Sequence, residues 1–246
     1  MSQLFSLSAE QLERIKPFFP RSHGIPRVDD RKVISGIIYV IKHGLQWKDA
    51  PREYGPYKTL YNRFLRWSRM GVFNNIFTEL AKTAGQDGQV MIDATHLKAH
   101  RTAASLLKKG LFSRCIGRTK GGLNSKTMPF ATLTAGQVSD CKGAALLMDA
   151  IDALPEAREL LADRGYDADW FRDALRARGI TPCVPPGRSR KRPCPYDQNL
   201  YKQRHKIEIM FGRIKDWRRI AMRYDRCAHT FFSALCLAAS IICYLD

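Results

Sequence analysis

The chain has 246 residues, enough to bury a full hydrophobic core, and its length accommodates two domains. It carries 41 Lys and Arg against 23 Asp and Glu, a formal net charge of +18, which points to a polyanionic partner such as nucleic acid ahead of an anionic membrane surface. The 7 cysteines form no Cys-x-x-Cys pair or zinc-finger cluster, and the opening "MSQLFSLSAEQLERIKPFF" lacks the features of a secretory signal, so a reduced, cytoplasmic setting is expected.

Ser8 and Gln11 have capping-box spacing ahead of Leu12, Ile15 and Phe18, which predicts a first helix. Asp29 and Asp30 can cap a second, "RKVISGIIYVIKHG", with Val33, Ile34, Ile37, Ile38 and Ile41 on one face and Gly44 to end it. A third, "YKTLYNRFLRWSRMG", alternates aromatics with Lys58, Arg63, Arg66 and Arg69; "VFNNIFTELAKTAG" is a fourth. Such a set suits a helix-turn-helix module over residues 1–85, with Lys58, Arg63 and Arg66 as DNA contacts. The plainer alternative makes Leu60, Phe64 and Trp67 ordinary core and the arginines a solvated face.

From residue 86 the pattern changes. "QVMID" reads as a strand ending in Asp93, and "ELLADRGYDADWF" opens as a strand ending in Asp163, with Asp167 expected to cap the helix "ADWFRDALRARG". "ITPCVPP" is a strand after that helix, and strand, helix, strand implies parallel pairing in an α/β sheet. Upstream, "CKGAALLMDAIDALP" reads as a helix offering Ala145, Leu147, Met148, Ile151 and Leu154 to the sheet. Tyr201–Trp217, "YKQRHKIEIMFGRIKDW", predicts one helix with Tyr201, Arg204, Glu208, Phe211 and Lys215 on one face and Ile207, Met210 and Ile214 beside it. The closing "FFSALCLAASIICYL" is apolar but shorter than the roughly 20 residues of a membrane span, so a buried helix and no membrane contact are expected.

Two acids at strand ends are costly to bury without a counter-charge, and strand ends are where α/β sheets build sites. If the helix bearing Glu208 packs over that edge, three carboxylates converge as hard oxygen ligands suited to magnesium or manganese. A metal pair about 3.5–4 Å apart could then activate an attacking oxygen and stabilise the leaving one at a phosphodiester. Residue by residue the alternatives stay open: Asp93 and Asp163 as turn caps, Glu208 as part of a solvated ion-pair face. His96 and His100 have metal-pair spacing but no Glu after His96, which favours structural or DNA roles over zinc.

The stretches "MIDATHLKAHRTAASLLKKG", "IGRTKGGLNSK", "LTAGQVSDCKGAALL", "LLADRGYDADWFRDALRARGITPCVPP" and "YKQRHKIEIMFGRIKDWRRIAMRYDRCAHTF" resemble the DDE transposases of bacterial insertion sequences, in particular the insertion-sequence-five group. "GLQWKDAPREYGPYKTLYNRFLRW" is similar to that group's helical DNA-binding region. The most specific element is the spacing of Tyr201, Arg204, Glu208 and Lys215. The resemblance implies a ribonuclease H-like catalytic domain over 86–246 with Asp93, Asp163 and Glu208 as catalytic metal ligands and Mg2+, or Mn2+, as cofactor. It also implies cleavage at an element's terminal inverted repeats and strand transfer into target DNA.

Tyr201, Arg204 and Lys215, one or two turns from Glu208, are then the DNA contacts beside the metal, joined by Lys98 and Arg101 on a connection of about 27 residues, Ala94 to Lys120, expected to be largely irregular and to line the DNA path. The basic run "GRSRKRPCPYDQNLYKQRHK" could follow the DNA backbone. One departure stands out: between "GGLNSK" and "LTAGQ" only "TMPFATLT" remains, too little for a hairpin of about 12 residues, so an internal deletion around residues 120–136 is expected to shorten the central sheet. The principal expectation is therefore a transposase of the bacterial cytoplasm and nucleoid, working as a homo-oligomer on double-stranded DNA. The alternatives are an impaired DNA-binding remnant that represses transposition and a nuclease without strand transfer.

Overall fold

The computed structural model describes residues 4–21, 28–84, 88–105, 114–128, 132–152, 156–192 and 194–245. Helices α1 (Ala9–Ile15), α2 (Asp30–His43), α3 (Tyr57–Arg69) and α4 (Val72–Ala84) come first. Then follow β1 (Gln89–Met91), β2 (Thr95–Ala99), α5 (Arg101–Ala104), β3 (Gly117–Thr119), β4 (Gly122–Met128), β5 (Thr132–Ala135) and α6 (Asp140–Asp152). The chain continues through β6 (Glu159–Leu161), α7 (Asp169–Arg176), β7 (Thr181–Cys183), α8 (Gln198–Lys202), α9 (His205–Lys215), α10 (Arg218–Ala221), β8 (Met222–Arg223) and α11 (Ala228–Ser240). It divides into two compact units, one made of Met1–Ala81, His100–Ser113 and Arg213–Asp246, the other of Lys82–Ala99 and Arg114–Gly212.

The first unit is helical. Ser8 and Gln11 form both bonds of the capping box that starts α1. Asp29 caps α2 through the Arg31 N–H, and Gly44 ends it at φ 72°, a left-handed conformation that glycine adopts without strain. Val33, Ile34, Ile37, Ile38 and Ile41 are fully buried, each contributing about 1.5–3 kcal/mol relative to exposure. Gly36 on the same helix lets Tyr54 approach, since a Cβ there would lie 2.7 Å from Tyr54 Cβ. Leu60, Phe64 and Trp67 of α3 join this core, and α11 packs against α2 and α3. The segment Ala228–Leu245 is 18 residues long and apolar enough by length and composition to cross a membrane, yet 72% of it is buried inside the protein.

The second unit is mixed α/β. β6 lies between β1 and β7, parallel to both, with Met91 opposite Leu161 and Leu161 opposite Cys183. β4 pairs antiparallel with β2 along one edge and with β3 and β5 along the other. Ile92, Leu160, Ala162, Ile180 and Val184 form one core with Ala144, Leu147 and Ile151 of α6 and Phe171 and Leu175 of α7. On α6 the buried alanine is Ala144, one turn before Leu147, while Ala145 is exposed; Leu154 lies outside the described residues.

Four sequence expectations need correction. The interval before Gly136 holds two strands: β4 and β5 pair from Ser125–Ala135 to Met128–Thr132 across residues 129–131, which lie outside the described residues. The "GLNSK" motif is itself strand, so the hairpin starts five residues earlier than a count from Thr127 allows, and the deletion is not needed. The connection after Asp93 is not irregular either, because Thr95–Ala99 forms β2 with buried Thr95 and Leu97 alternating with exposed His96 and Lys98. Much of the "AASLLKK" stretch falls outside the described residues. The helix expected from Tyr201 to Trp217 is interrupted at Gln203–Arg204, where N–H groups bond three residues back, to Leu200 and Tyr201. Finally, Asp167 does not cap α7: the cap position is Ala168, and the Asp167 carboxylate instead accepts from Arg172 Nε at 2.7 Å, the Gly187 N–H at 2.6 Å and Arg190 Nε at 2.7 Å.

Candidate functional site

The pairing of β1 with β6 fixes the centre of the site. Met91 is opposite Leu161, so Asp93 and Asp163 each stand two residues beyond matched strand ends, side by side at the C-terminal edge of a parallel sheet. Neighbouring strands lie about 4.8 Å apart, and this edge is where α/β sheets place their ligands. Asp93 sits where the chain leaves β1 and, after Ala94, enters β2. Its Oδ1 accepts the Ala94 N–H at 2.7 Å. Burial raises the Asp93 carboxyl above its ordinary pKa and the charge of Asp163 adds to this, against the Ala94 N–H and the Arg204 charge. Asp163 Oδ1 accepts the Gly165 N–H at 2.8 Å and caps the turn Arg164–Tyr166, so the turn-cap role is met with its other oxygen uncommitted to that bond.

The helix pair α8–α9 brings a cation to this edge. Arg204, at the break between them, donates from one terminal nitrogen to Asp93 Oδ2 at 2.8 Å and from the other to Glu208 Oε1 at 2.8 Å. Its guanidinium also lies over the Tyr201 ring, 5.9 Å from the centroid. Although burial opposes it, Asp93 foremost, with Glu208 and Asp163 among the others, holds the Arg204 proton more tightly than usual. Ile207, Phe211 and Ile214 are the buried face of α9, whereas Glu208 and Lys215 are exposed. Phe211 thus belongs with the apolar stripe and not with the polar face where the helical count put it.

Asp93, Asp163 and Glu208 offer only oxygen, the donor chemistry of a hard divalent cation. They are nonetheless not gathered as a metal centre: among the described residues no three of His, Cys, Asp and Glu are grouped to hold an ion. The counter-charge at Asp93 and Glu208 is the Arg204 guanidinium, which does the neutralising that the helix bearing Glu208 was expected to leave to a metal.

The remaining sequence-derived residues are more dispersed. Lys98 is exposed on β2, Arg101 is exposed at the start of α5, and Lys58 and Arg66 are exposed on α3. Arg63 is paired with Asp30 at 2.6 Å and lies over the Trp67 ring at 5.3 Å, so it serves the fold of the helical unit. His96 bonds the Gly136 carbonyl at 3.0 Å from a strand, where residues four apart do not meet as they do on a helix. In the basic run after β7, Asp167 ties down Gly187 and Arg190 while Arg188, Lys191 and Arg192 are exposed. Three residues near the site went unrecognised in the sequence: Lys126, Asp140 and Tyr166. Lys126 is 5% exposed and 2.5 Å from Asp140 Oδ1. The Tyr166 hydroxyl is raised above its ordinary pKa by burial and by the charges of Asp140, Asp93 and Asp163. A lysine at a position with buried strand neighbours was the available signal.

Comparisons with known proteins identify the family. The family described as "Putative transposase of IS4/5 family" matches residues 7–77, and a "Transposase DDE domain" matches residues 160–245. The "Putative transposase for insertion sequence element IS6501" of Brucella ovis is 31% identical over 110 residues, 44% of this chain and 82% of that protein. The chain belongs to the IS4/5 family of insertion-sequence transposases. This transposase is also 33% identical over 101 residues to "Uncharacterized protein y4sN" of Sinorhizobium fredii, 40% of this chain and 80% of that protein. It is 33% identical over 122 residues to the "Putative transposase for insertion sequence element IS402" of Burkholderia cepacia, 46% of this chain and 56% of that protein. No solved structure gives a significant match. DDE transposases bind and cleave DNA and use divalent metal ions, and the transposase is an enzyme of that class.

Proposed function

We propose that Asp93 and Asp163 are the two strand-end carboxylates of a ribonuclease H-like catalytic domain, that Glu208 is the third acid, and that the working cation is Mg2+, replaceable by Mn2+. The observation that carries this reading is the register of β1 with β6, which sets Asp93 and Asp163 abreast with Arg204 and Glu208 beside Asp93. When bound, a divalent ion would polarise the scissile phosphate and favour the oxygen nucleophile. The protein's own residues orient and neutralise. Arg204 holds Asp93 and Glu208 as charged acceptors in the absence of DNA, and its planar fork equally suits a DNA phosphate, so DNA and the carboxylates compete for it. Tyr201 braces the guanidinium, and Lys215, on the exposed side of α9, meets the backbone further along.

Function divides near residue 85. Residues 1–85 supply a helix-turn-helix-like reader of the terminal inverted repeats, with Lys58 and Arg66 of α3 as its exposed cations, and residues 86–246 supply the chemistry, with Lys98 and Arg101 on the DNA path. The protein works in the bacterial cytoplasm, on the nucleoid, as a homo-oligomer that holds two element ends and target DNA. The test is incubation of purified protein with labelled terminal repeats, Mg2+ and a target plasmid. Nicks and joined products are expected from the parent and neither from Asp93→Asn or Asp163→Asn. Cleavage that persists in Asp93→Asn rejects the site.

A further inference from the structure

The loop after β7 carries a basic, concave surface that the proposed site does not use. The parallel sheet runs β1, β6, β7, with Met91 opposite Leu161 and Leu161 opposite Cys183. The chain leaving β7 at Val184 therefore emerges at the same edge as Asp93 and Asp163, one strand beyond Asp163. Residues 187–190 then turn, with the Arg190 N–H donating to the Gly187 carbonyl at 3.0 Å. Gly187 and residues 189–192 line a recess of about 410 Å³, with Asp167 and Asp169 also on its wall.

This loop is held in place, as a solvated charge run would not be. Each guanidinium nitrogen of Arg190 is committed: Nε to Asp167 Oδ2 at 2.7 Å, one terminal nitrogen to Asp169 Oδ1 at 2.7 Å and the other to Cys194 Sγ at 3.4 Å. Asp167 also accepts the Gly187 N–H at 2.6 Å and Arg172 Nε at 2.7 Å, and Arg172 donates in turn to the Val184 carbonyl at 2.6 Å, where the loop begins. A buried carboxylate thus ties both ends of the turn to the start of α7. Charge balance shows what is left over. Asp167 and Asp169 are offset by Arg172 and Arg190, whereas Arg188, Lys191 and Arg192 are exposed and form no ion pair among the described residues. Strand-end acids repel a phosphate, so a polyanion can lie along this edge only where fixed cations beside them offset that repulsion.

We infer that residues 187–192 form a preformed seat for the DNA backbone on the Asp163 side of the cleaved bond. Arg188, Lys191 and Arg192 neutralise phosphates there, and Arg190 is a positioning residue that sets the loop through Asp167 and Asp169. The inference rests on the reading of Asp93 and Asp163 given above. Arg204 meets Asp93 at one end of the edge and this loop stands at the other, so the backbone is gripped on both sides of the two aspartates.

The test measures affinity of the full chain for a short duplex DNA across a range of salt concentrations. Arg188→Ala/Lys191→Ala/Arg192→Ala removes three exposed side chains that the fold does not use, and the slope of log affinity against log salt should fall by about 2–3. Arg158→Ala, an exposed cation at the start of β6 and so at the opposite edge, should leave the slope unchanged. Arg190→Lys keeps the net charge but loses the fork that joins Asp167 to Asp169; binding should weaken about two- to fivefold, the worth of an exposed ion pair misplaced. An unchanged slope in the triple variant, an equal loss per charge in Arg158→Ala, or parental affinity in Arg190→Lys overturns the inference. Cleavage by Asp93→Asn, assayed in parallel, separates the two levels. If Asp93→Asn loses cleavage and the triple variant keeps the parental slope, the inference alone falls. If Asp93→Asn cleaves as the parent does, the underlying reading falls and the inference falls with it.

Discussion

Replacing Arg204 by Gln removes the cation that joins Asp93 to Glu208, and the two arms differ in worth. The side chains of Arg204 and Asp93 are each 15% exposed, whereas that of Glu208 is 57% exposed. Losing a hydrogen bond to a charge that stays largely buried costs about 2–3 kcal/mol. The arm to Glu208 is screened by solvent and adds less than about 1 kcal/mol. Urea denaturation at neutral pH should therefore place the variant about 2–4 kcal/mol below the parent. The pH dependence identifies the source. Burial already raises the Asp93 pKa, so folding favours its protonated form and ionisation is what weakens the native state. Removing Arg204 takes away a charge that lowers this pKa and moves it further up. The penalty is full above the variant's raised value and fades as pH falls through both values, where the carboxyl is neutral in either protein. In an Asp93→Asn background the same Arg204→Gln change should cost less than about 1 kcal/mol. An equal cost in the two backgrounds would refute the bridge.

Other consequences can be measured separately. Asp167, with a side chain 2% exposed and three donors converging on it, should lose about 3–5 kcal/mol of stability as Asp167→Asn in chemical denaturation at neutral pH. Burial opposes ionisation, but the bonds from Arg190, Gly187 and Arg172 hold its pKa below the ordinary value. That stabilisation is present above the unfolded-state pKa of about 3.9 and disappears as pH falls through the lower folded value, so the gap to the variant should close there. Gly36→Ala forces a Cβ to within 2.7 Å of Tyr54 and should cost about 1–3 kcal/mol, read as a lowered melting temperature. Replacing Lys58 and Arg66 by Ala should reduce the slope of log affinity against log salt on duplex DNA by about 0.9 for each phosphate that is no longer neutralised; an unchanged slope would remove α3 from the DNA interface.

How much of this was legible in the sequence depends on the range over which each cause acts. Local causes read well: the Ser8–Gln11 capping box, Gly44 as a helix stop and the i,i+4 pair of Arg204 with Glu208 all lie within one or two turns. The two strand-end acids were also visible, because the short apolar runs before Asp93 and Asp163 end abruptly in charge; the strand, helix, strand order after Asp163 called for the parallel pairing of β6 with β7, whereas the pairing of β1 with β6 joins segments about 70 residues apart and was not read. The hairpin was missed because "GLNSKTM" looks too polar for a strand, and only its position between partners on both edges buries Asn124, Ser125, Lys126 and Thr127. Asp167 was misread as a cap because its real partners, Gly187 and Arg190, are 20 and 23 residues away. Asp140 escaped for the same reason: a first-turn acid looks sufficient in itself until the fold sets its carboxylate against Gly165. The break at Arg204 could not be read from propensity, since no Gly or Pro lies between Tyr201 and Glu208.

The placement of a divalent cation between the strand-end acids is tested most directly by anomalous diffraction from crystals of the protein with an element end and Mn2+. The peak is expected in contact with the carboxylates of Asp93 and Asp163, with the Arg204 side chain withdrawn from Asp93 to a DNA phosphate. A Mn2+ peak away from both aspartates, with Arg204 still joining Asp93 to Glu208, would contradict it.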